Sequence, residues 1–121
     1  MNATTVTISR QQYLNYNEQK ALDGIVNKIS LMYLGIKEII LYGSKARGDY
    51  GEESDIDLLF ITDSILPREK RFEIYDEIYE IEVQHDVIVS VVFINESDFR
   101  SKESYFLRQV KGEGVTLWSR E

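Results

Sequence analysis

Two aspartates and a glycine–serine pair are the residues of this sequence whose types and spacing could do chemistry together. Asp55 and Asp57 are two positions apart in a β-rich run, so both side chains would point to the same face of a strand. Gly43 and Ser44 directly follow another β-rich run, and ten residues separate Ser44 from Asp55. Each piece alone is a common connector or a solvated acidic pair, but the combination predicts a binding site.

The chemistry that this combination predicts is the binding of phosphate and a divalent cation. Gly43 permits a sharp turn and the close approach of a ligand, because it has no Cβ. A short helical turn that begins at Ser44 would offer free N–H groups to phosphate, and the hydroxyl adds a donor. Asp55 and Asp57 would repel each other unless a cation lay between them and a substrate, and Mg²⁺ prefers carboxylate, water and phosphate oxygens.

Two basic residues follow the glycine–serine pair and have two possible roles. Lys45 and Arg47 could neutralise the charge of a triphosphate. Alternatively, Arg47 could brace the turn by pairing with Asp49 or Glu53. The sequence leaves both interpretations of Arg47 open.

The elements that must position these residues alternate between helices and strands. Apolar residues at helical spacing predict a first helix, β-branched runs predict strands, and Pro67 suits the first turn of a helix. The first predicted elements are a helix over about 10–34, a strand at Glu38–Tyr42, a short helical turn and a strand at Asp55–Ile61. A helix follows Pro67, and its packed face is predicted to carry Phe72, Tyr75, Ile78, Tyr79 and Val83. The last predicted elements are a strand at Val87–Ile94, a helix capped by Ser97 or Asp98, and a short edge strand at Val115–Trp118. This order predicts one α/β (α+β) domain over residues 1–121, with helices covering a small mixed sheet.

Composition narrows the possible partners. The 121 residues include 21 acidic and 14 basic side chains, for a formal net charge of −7, which argues against general nucleic-acid binding. The absence of cysteine excludes disulfides and thiolate metal sites, and one histidine excludes a multi-histidine site within the chain. No apolar run is long enough to cross a bilayer, and the first residues do not resemble a signal peptide. We therefore expect a cytoplasmic protein without a membrane partner.

The motif also carries a family resemblance. The strings Tyr42-Gly-Ser-Lys-Ala-Arg-Gly48 and Ser54-Asp-Ile-Asp-Leu58 resemble the signature of the DNA polymerase β-like nucleotidyltransferase superfamily, and in particular its small prokaryotic branch, the minimal nucleotidyltransferases. The close of the chain, Val110-Lys-Gly-Glu-Gly-Val-Thr-Leu117, is similar to the usual close of that branch. The resemblance implies the polymerase β-like nucleotidyltransferase fold.

The resemblance also implies an activity. In that superfamily three carboxylates hold two Mg²⁺ or Mn²⁺ ions, which align ATP or another nucleoside triphosphate for attack at its α-phosphorus. Asp55 and Asp57 match the first two carboxylates, and Gly43 and Ser44 match the phosphate-holding turn. A nucleotidyl group, expected to be AMP, would pass to an acceptor as pyrophosphate leaves.

The place of the third carboxylate is held by Asp86 or by Ser90, with Glu80 and Glu82 on the preceding helix as weaker candidates. Asp86 lies at the start of the third predicted strand and is the obvious metal ligand and catalytic residue. The family pattern instead aligns Ser90 with the third aspartate. The two share a strand face but lie about 13 Å apart at 3.3 Å per residue, so they cannot both serve one site. If Ser90 holds the position, the site has one carboxylate fewer.

The acceptor must come from elsewhere, since nearly all of the chain is needed for the fold. Minimal nucleotidyltransferases of this kind resemble the antitoxin halves of two-gene modules, whose partners are helical HEPN-type toxins. The resemblance therefore implies such a partner, or a second copy of this chain. The alternative is a catalytically degenerate module of the same fold that neutralises its partner by contact alone. The acceptor, the base of the nucleotide and the oligomeric state stay open.

Overall fold

The computed structural model describes residues 8–49 and 55–120 and contains one four-stranded sheet with helices on both faces. The elements in chain order are α1 (Tyr16–Met32), β1 (Ile36–Tyr42), α2 (Ser44–Arg47), β2 (Ile56–Thr62), α3 (Arg68–His85), β3 (Val89–Asn95), α4 (Glu96–Ser101), α5 (Tyr105–Glu113) and β4 (Val115–Ser119). This confirms the predicted mixed α/β architecture. Across these two ranges, no helix has the length and apolar character that a membrane span requires.

The strand order β3-β2-β1-β4 makes the sheet mixed. β1 runs antiparallel to both β2 and β4, whereas β2 and β3 are parallel. A parallel pair needs a crossover connection, and α3 supplies it. The register places Asp57 between Tyr42 on β1 and Ser90 on β3.

Each face of the sheet carries its own apolar core. Helices α1 and α3 cover one face with a large cluster that includes Ile56 and Phe60. Val110 of α5 covers the opposite face together with residues of the central strands and partly buried neighbours: Ile40, Leu59, Ile61, Tyr42, Ile94, Phe99 and Phe106. Because side chains alternate along a strand, Asp57 emerges on the α5 face while Ile56 is buried under α1 and α3.

The packed face of α3 differs from the predicted one. The buried residues of this helix are Ile74, Ile78 and Ile81. Of the five predicted positions only Ile78 is buried, and although the Tyr75 ring packs edge-to-face on Phe93, the other four are exposed: Phe72, Tyr75, Tyr79 and Val83. Two apolar stripes run along α3 at helical spacing, and periodicity cannot tell which one faces the sheet.

The last predicted helix is two helices. Asn95 caps α4 by accepting a hydrogen bond from the Asp98 N–H at 2.8 Å. Ser104 caps α5 by accepting from the Leu107 N–H at 3.1 Å. The predicted caps Ser97 and Asp98 lie inside α4, because the side chain at the end of β3 takes the capping position first.

Candidate functional site

The glycine–serine turn is built as predicted, with Gly43 as the N-cap of α2 and Ser44 as its first residue. Gly43 has φ 76° and ψ −161°, a backbone conformation that is essentially restricted to glycine. Its carbonyl accepts hydrogen bonds from the N–H groups of Ala46 and Arg47 at 3.0 and 3.1 Å. A Cβ at this position would overlap the Asp57 carboxylate. Glycine is therefore required at position 43 for two reasons: the backbone conformation of the turn, and the close approach of the Asp57 carboxylate.

Asp55 and Asp57 lie together on the α5 face of the sheet. Burial raises the pKa of Asp57, and the neighbouring charges of Asp55 and Glu113 raise it further, while Arg47 opposes them. The Ser90 hydroxyl lies next to the pair and donates a hydrogen bond to Asp55 Oδ2 at 3.1 Å. Two adjacent carboxylates, one of them poorly hydrated, form a site that a cation would stabilise.

Asp86 does not join this pair in the structure. It is the exposed C-cap of α3, with a left-handed φ of 55°, and its N–H donates to the Glu82 carbonyl. Within residues 8–49 and 55–120, no three histidine, cysteine, aspartate or glutamate side chains are grouped so that they could hold a metal ion. On β3 the residue beside the acidic pair is Ser90. Asp86 therefore caps α3, and its position does not support a role as the third metal ligand.

Lys45 forms an ion pair with Glu18 in place of the predicted contact with phosphate. Its side chain is 3% exposed, and its ammonium pairs with Glu18 at 2.7 Å. Glu18 also closes a capping box with Asn15, which explains why α1 begins at Tyr16 and not near Arg10. The ion pair ties α2 to the start of α1. Because Glu18 already neutralises its charge, Lys45 has a structural role in this conformation.

Arg47 adopts the bracing interaction that was one of its two predicted roles. Its Nε donates to both carboxylate oxygens of Asp49 at 3.1 Å. Its Nη1 also donates to Glu113 Oε2 at 2.6 Å. The hydrogen bond to Glu113, followed by that to Asp49, raises the pKa of Arg47. The other predicted partner, Glu53, lies outside the described residues.

Glu113 is the site residue that sequence reasoning missed. It lies at the end of α5, 66 positions from Arg47 in the chain, and no local pattern links the two. Its side chain is 13% exposed. One oxygen pairs with Arg47, and the other, Oε1, is buried without a hydrogen-bond partner among the described residues. In the sequence it stands within the closing string Val110–Leu117, which carries part of the family resemblance but assigns Glu113 no role.

Tyr42 forms a wall of the site. It lies opposite Asp57 in the β1–β2 register and packs edge-to-face against Phe106, with ring centroids 5.3 Å apart. Burial, followed by the charge of Asp57, raises the pKa of Tyr42. The site is therefore closed on one side by neutral aromatic rings.

Known proteins share both the sequence pattern and the fold. Residues 25–121 match the family model described as Polymerase beta, Nucleotidyltransferase. A protein of Methanocaldococcus jannaschii, provisionally named a protein adenylyltransferase, is 38% identical over 104 residues, covering 84% of this chain and 99% of that protein.

Solved structures agree on the fold. A chain from a toxin–antitoxin crystal structure with AMP-PNP superposes with a TM-score of 0.60 at 23% identity, over 82% of this chain and 73% of that one. A chain from the complex of a tri-AMPylated Shewanella oneidensis HEPN toxin with its MNT antitoxin gives 0.51 at 21% identity, over 83% and 73%. At these identities the likeness concerns the fold.

A mixed sheet that holds a glycine–serine turn against Asp57 of β2, with Asp55 just before that strand, defines a nucleotidyltransferase-type domain. The family match over residues 25–121 and the 38% identical relative lead to the same class. The chain belongs to the polymerase beta nucleotidyltransferase family of transferases.

Proposed function

We propose that this protein is a divalent-metal-dependent adenylyltransferase that transfers AMP from ATP to a partner protein, with a HEPN-type toxin as the expected acceptor. The observation that carries the proposal is the contact between the Gly43 turn and the Asp57 carboxylate, with Asp55 on the same strand face. This arrangement would let the turn bind phosphate and the acidic pair bind a cation in one place. The provisional naming of the 38% identical relative as a protein adenylyltransferase supports AMP as the transferred group.

The residues present fit a divalent cation. Asp55 and Asp57 would hold it, and Ser90 would orient Asp55 through its hydrogen bond. The raised pKa of Asp57 reflects burial and repulsion that a bound cation would relieve. When bound, Mg²⁺ or Mn²⁺ would neutralise the charge that develops on the phosphate oxygens.

Several of the chain's own groups could donate hydrogen bonds to a triphosphate. The first N–H groups of α2 have no partner inside the helix, and the Ser44 hydroxyl stands beside them as another donor. Arg47 is paired with Asp49 and Glu113, but its side chain is 37% exposed, so its guanidinium could exchange these carboxylates for the more highly charged oxygens of a triphosphate. Each of these groups favours negative charge in front of the turn.

The surface of α3 supports a protein as the acceptor. Its four exposed apolar residues, Phe72, Tyr75, Tyr79 and Val83, form the α3 stripe. An exposed apolar stripe of this length is typical of a protein-binding surface. Because β2 and β3 start side by side, the end of α3 lies near the same edge of the sheet as Asp55. Since α3 and the acidic pair lie on opposite faces of the sheet, a partner bound to the α3 stripe would have to extend around this edge to reach Asp55 and Asp57.

A second candidate function is a binding module without catalysis. The observation that favours it is Ser90, an uncharged residue opposite Asp57 where β3 could have supplied a carboxylate. Such a module would bind its partner through the α3 stripe and transfer nothing. The two functions differ in whether the site binds ATP with metal.

Calorimetry with ATP and Mg²⁺ tests the proposed site. We expect binding by the parent protein and its loss in Asp57→Asn, because the amide cannot supply a charged oxygen to the cation. Asp86→Asn is the matched control, since it removes one negative charge outside the acidic pair, and it should bind as the parent does. Equal binding by the parent and Asp57→Asn would refute the site. No binding by the parent, together with tight binding of a partner, would favour the module.

A further inference from the structure

We propose that the β3 edge of the sheet, together with the neighbouring side of α3, is the surface through which two copies of this chain form a two-fold symmetric dimer. The β3 strands of the two copies would pair antiparallel, so that their sheets become one continuous sheet. The assignment does not depend on the chemistry proposed for the acidic pair.

β3 is an edge strand without the features that keep sheet edges from associating. It pairs with β2 on one side, and no strand among the described residues lies on its other side. Its seven residues, Val89–Asn95, include no charge and no proline, and its register with β2 contains no bulge. The opposite edge strand, β4, has only five residues, and its pairing with β1 contains a register shift. Charges, proline, bulges and short strands protect natural edges, so β3 has the properties of a strand that pairs with another chain.

The backbone of β3 offers hydrogen-bonding groups on its open side. The Val89 N–H donates to the Glu82 side chain at 2.8 Å, so it points away from β2. Because the backbone groups of alternate residues point to the same side of a strand, those of Val91 and Phe93 point away from β2 as well. In an antiparallel pair with its two-fold axis at Val92, Val91 of each copy would exchange both hydrogen bonds with Phe93 of the other.

The position of α3 agrees with an axis at Val92. Tyr75 packs edge-to-face on Phe93, with ring centroids 5.7 Å apart, so the α3 stripe and the β3 edge form one surface. α3 runs opposite to β3, because it returns the chain between two parallel strands. Two residues along α3 rise about 3 Å, which matches one residue back along β3, about 3.3 Å. Glu77 is therefore level with Val92, and the axis would pass between the two α3 helices at that level.

The charges of α3 indicate a second copy as the occupant of this surface. Arg68, Tyr75, Tyr79 and Asp86 lie along one side of α3, because their spacings are close to whole helical turns. Arg68 and Asp86 are equally distant from Glu77, so an antiparallel helix pair centred there sets Arg68 of one copy opposite Asp86 of the other. Both side chains are exposed, and they lie at opposite ends of α3, too far apart to pair within one chain. Only a two-fold partner satisfies this complementarity.

Part of the α3 stripe remains for the acceptor proposed above. Phe72 and Val83 project from the outer side of the helix and would stay exposed in the dimer. The axis would place these residues of the two copies beside each other. The dimer would therefore present one broader apolar surface to the acceptor.

Sedimentation equilibrium of the full chain over a range of concentrations tests the β3 pairing. We expect the parent to sediment as a dimer, and Val92→Lys to raise the dissociation constant by about tenfold or more, because the axis sets the two lysines directly opposite each other. Val115→Lys is the matched control, since it adds the same charge at a similarly exposed valine of the other edge strand, 36% exposed against 38% for Val92. The control should leave the dimer intact.

A second set of variants tests the α3 contact. Arg68→Glu should raise the dissociation constant by about tenfold, because it sets two acidic side chains opposite each other and the axis makes the substitution act twice. The addition of Asp86→Asn removes one acid of each opposed pair and should restore part of the affinity. Within a single chain the two positions are too far apart for such a recovery.

The following results would overturn the inference. One is a parent that stays monomeric at every concentration, and another is a dimer that Val92→Lys and Val115→Lys weaken equally. If circular dichroism shows that Val92→Lys is unfolded, Arg68→Glu provides the test, because it changes an exposed helix residue. An Arg68→Glu dimer as stable as the parent, or one that does not recover with Asp86→Asn, would contradict the proposed pairing. Binding of ATP with Mg²⁺ by the monomeric variants should match that of the parent, so the proposed function is tested separately.

Discussion

Replacement of Gly43 by alanine should damage both the fold and the site, for two separable reasons. The backbone of Gly43 has φ 76° and ψ −161°, which an L-residue adopts only under strain. The added Cβ would also overlap the Asp57 carboxylate, so either that side chain or the turn must move. The first effect lowers stability, and the second removes a ligand from its position.

The size of the stability loss follows from the strain of the backbone at position 43. A non-glycine residue in this region costs about 1–3 kcal/mol. For a domain of 121 residues each kcal/mol lowers Tm by about 3–6 °C, so a central value of 2 kcal/mol predicts a fall of roughly 6–12 °C. Displacement of Asp57 should also abolish binding of ATP with Mg²⁺, even at temperatures where the variant is fully folded.

Thermal unfolding and calorimetry on the same samples measure both effects. Gly112→Ala is the matched control, because Gly112 lies in α5 and a Cβ there meets no described heavy atom within 4 Å. The control should gain about 0.4–1 kcal/mol and bind ATP normally. The reasoning is refuted if Gly43→Ala binds ATP as the parent does, or if it unfolds at the same temperature.

Three further predictions concern other parts of the molecule. Lys45→Met should lower stability by about 3–5 kcal/mol by leaving Glu18 buried and unpaired, and adding Glu18→Gln should recover part of the loss, as measured by denaturant unfolding. Burial raises the pKa of Asp57 above its ordinary 3.8, so ionisation of this carboxyl destabilises the fold in the absence of metal. The stability of the protein should therefore fall as the pH rises from 3.8 through the pKa of Asp57 in the folded state. Asp57→Asn cannot ionise and should have a higher Tm than the parent at pH 7. Tyr79→Glu in the α3 stripe should weaken partner binding in a pull-down. Tyr105→Glu, at a tyrosine of α5 that is also largely exposed, should not.

The parts of the site that sequence predicted are those governed by local rules. Strand alternation placed Asp55 and Asp57 on one face, and the glycine–serine pair marked the start of α2, because both depend on neighbouring residues. The pairing of Arg47 with Glu113 and of Lys45 with Glu18 joins distant segments, and only the folded chain brings them together.

The fold was predictable to a similar extent and for the same reason. Runs of β-branched residues located the strands, and the element order implied a mixed sheet. The orientation of α3 was not predictable, because the buried isoleucines of this helix, Ile74, Ile78 and Ile81, recur along it with the same period as the α3 stripe. The division between α4 and α5 depends on Ser104, whose side chain caps a new helix where the predicted one would have continued.

The most direct test of the central claim is transfer of label from ATP to a HEPN-type partner protein. With Mn²⁺ and ATP labelled at the α-phosphate, the partner should gain the label and the mass of one adenylyl group, which is AMP less one water, with an equal amount of pyrophosphate released. ATP labelled at the γ-phosphate should leave the partner unlabelled, and the double variant Asp55→Asn, Asp57→Asn should transfer nothing. A partner that binds the parent protein tightly but gains no label, or that gains it equally from the double variant, would contradict adenylyl transfer at this site.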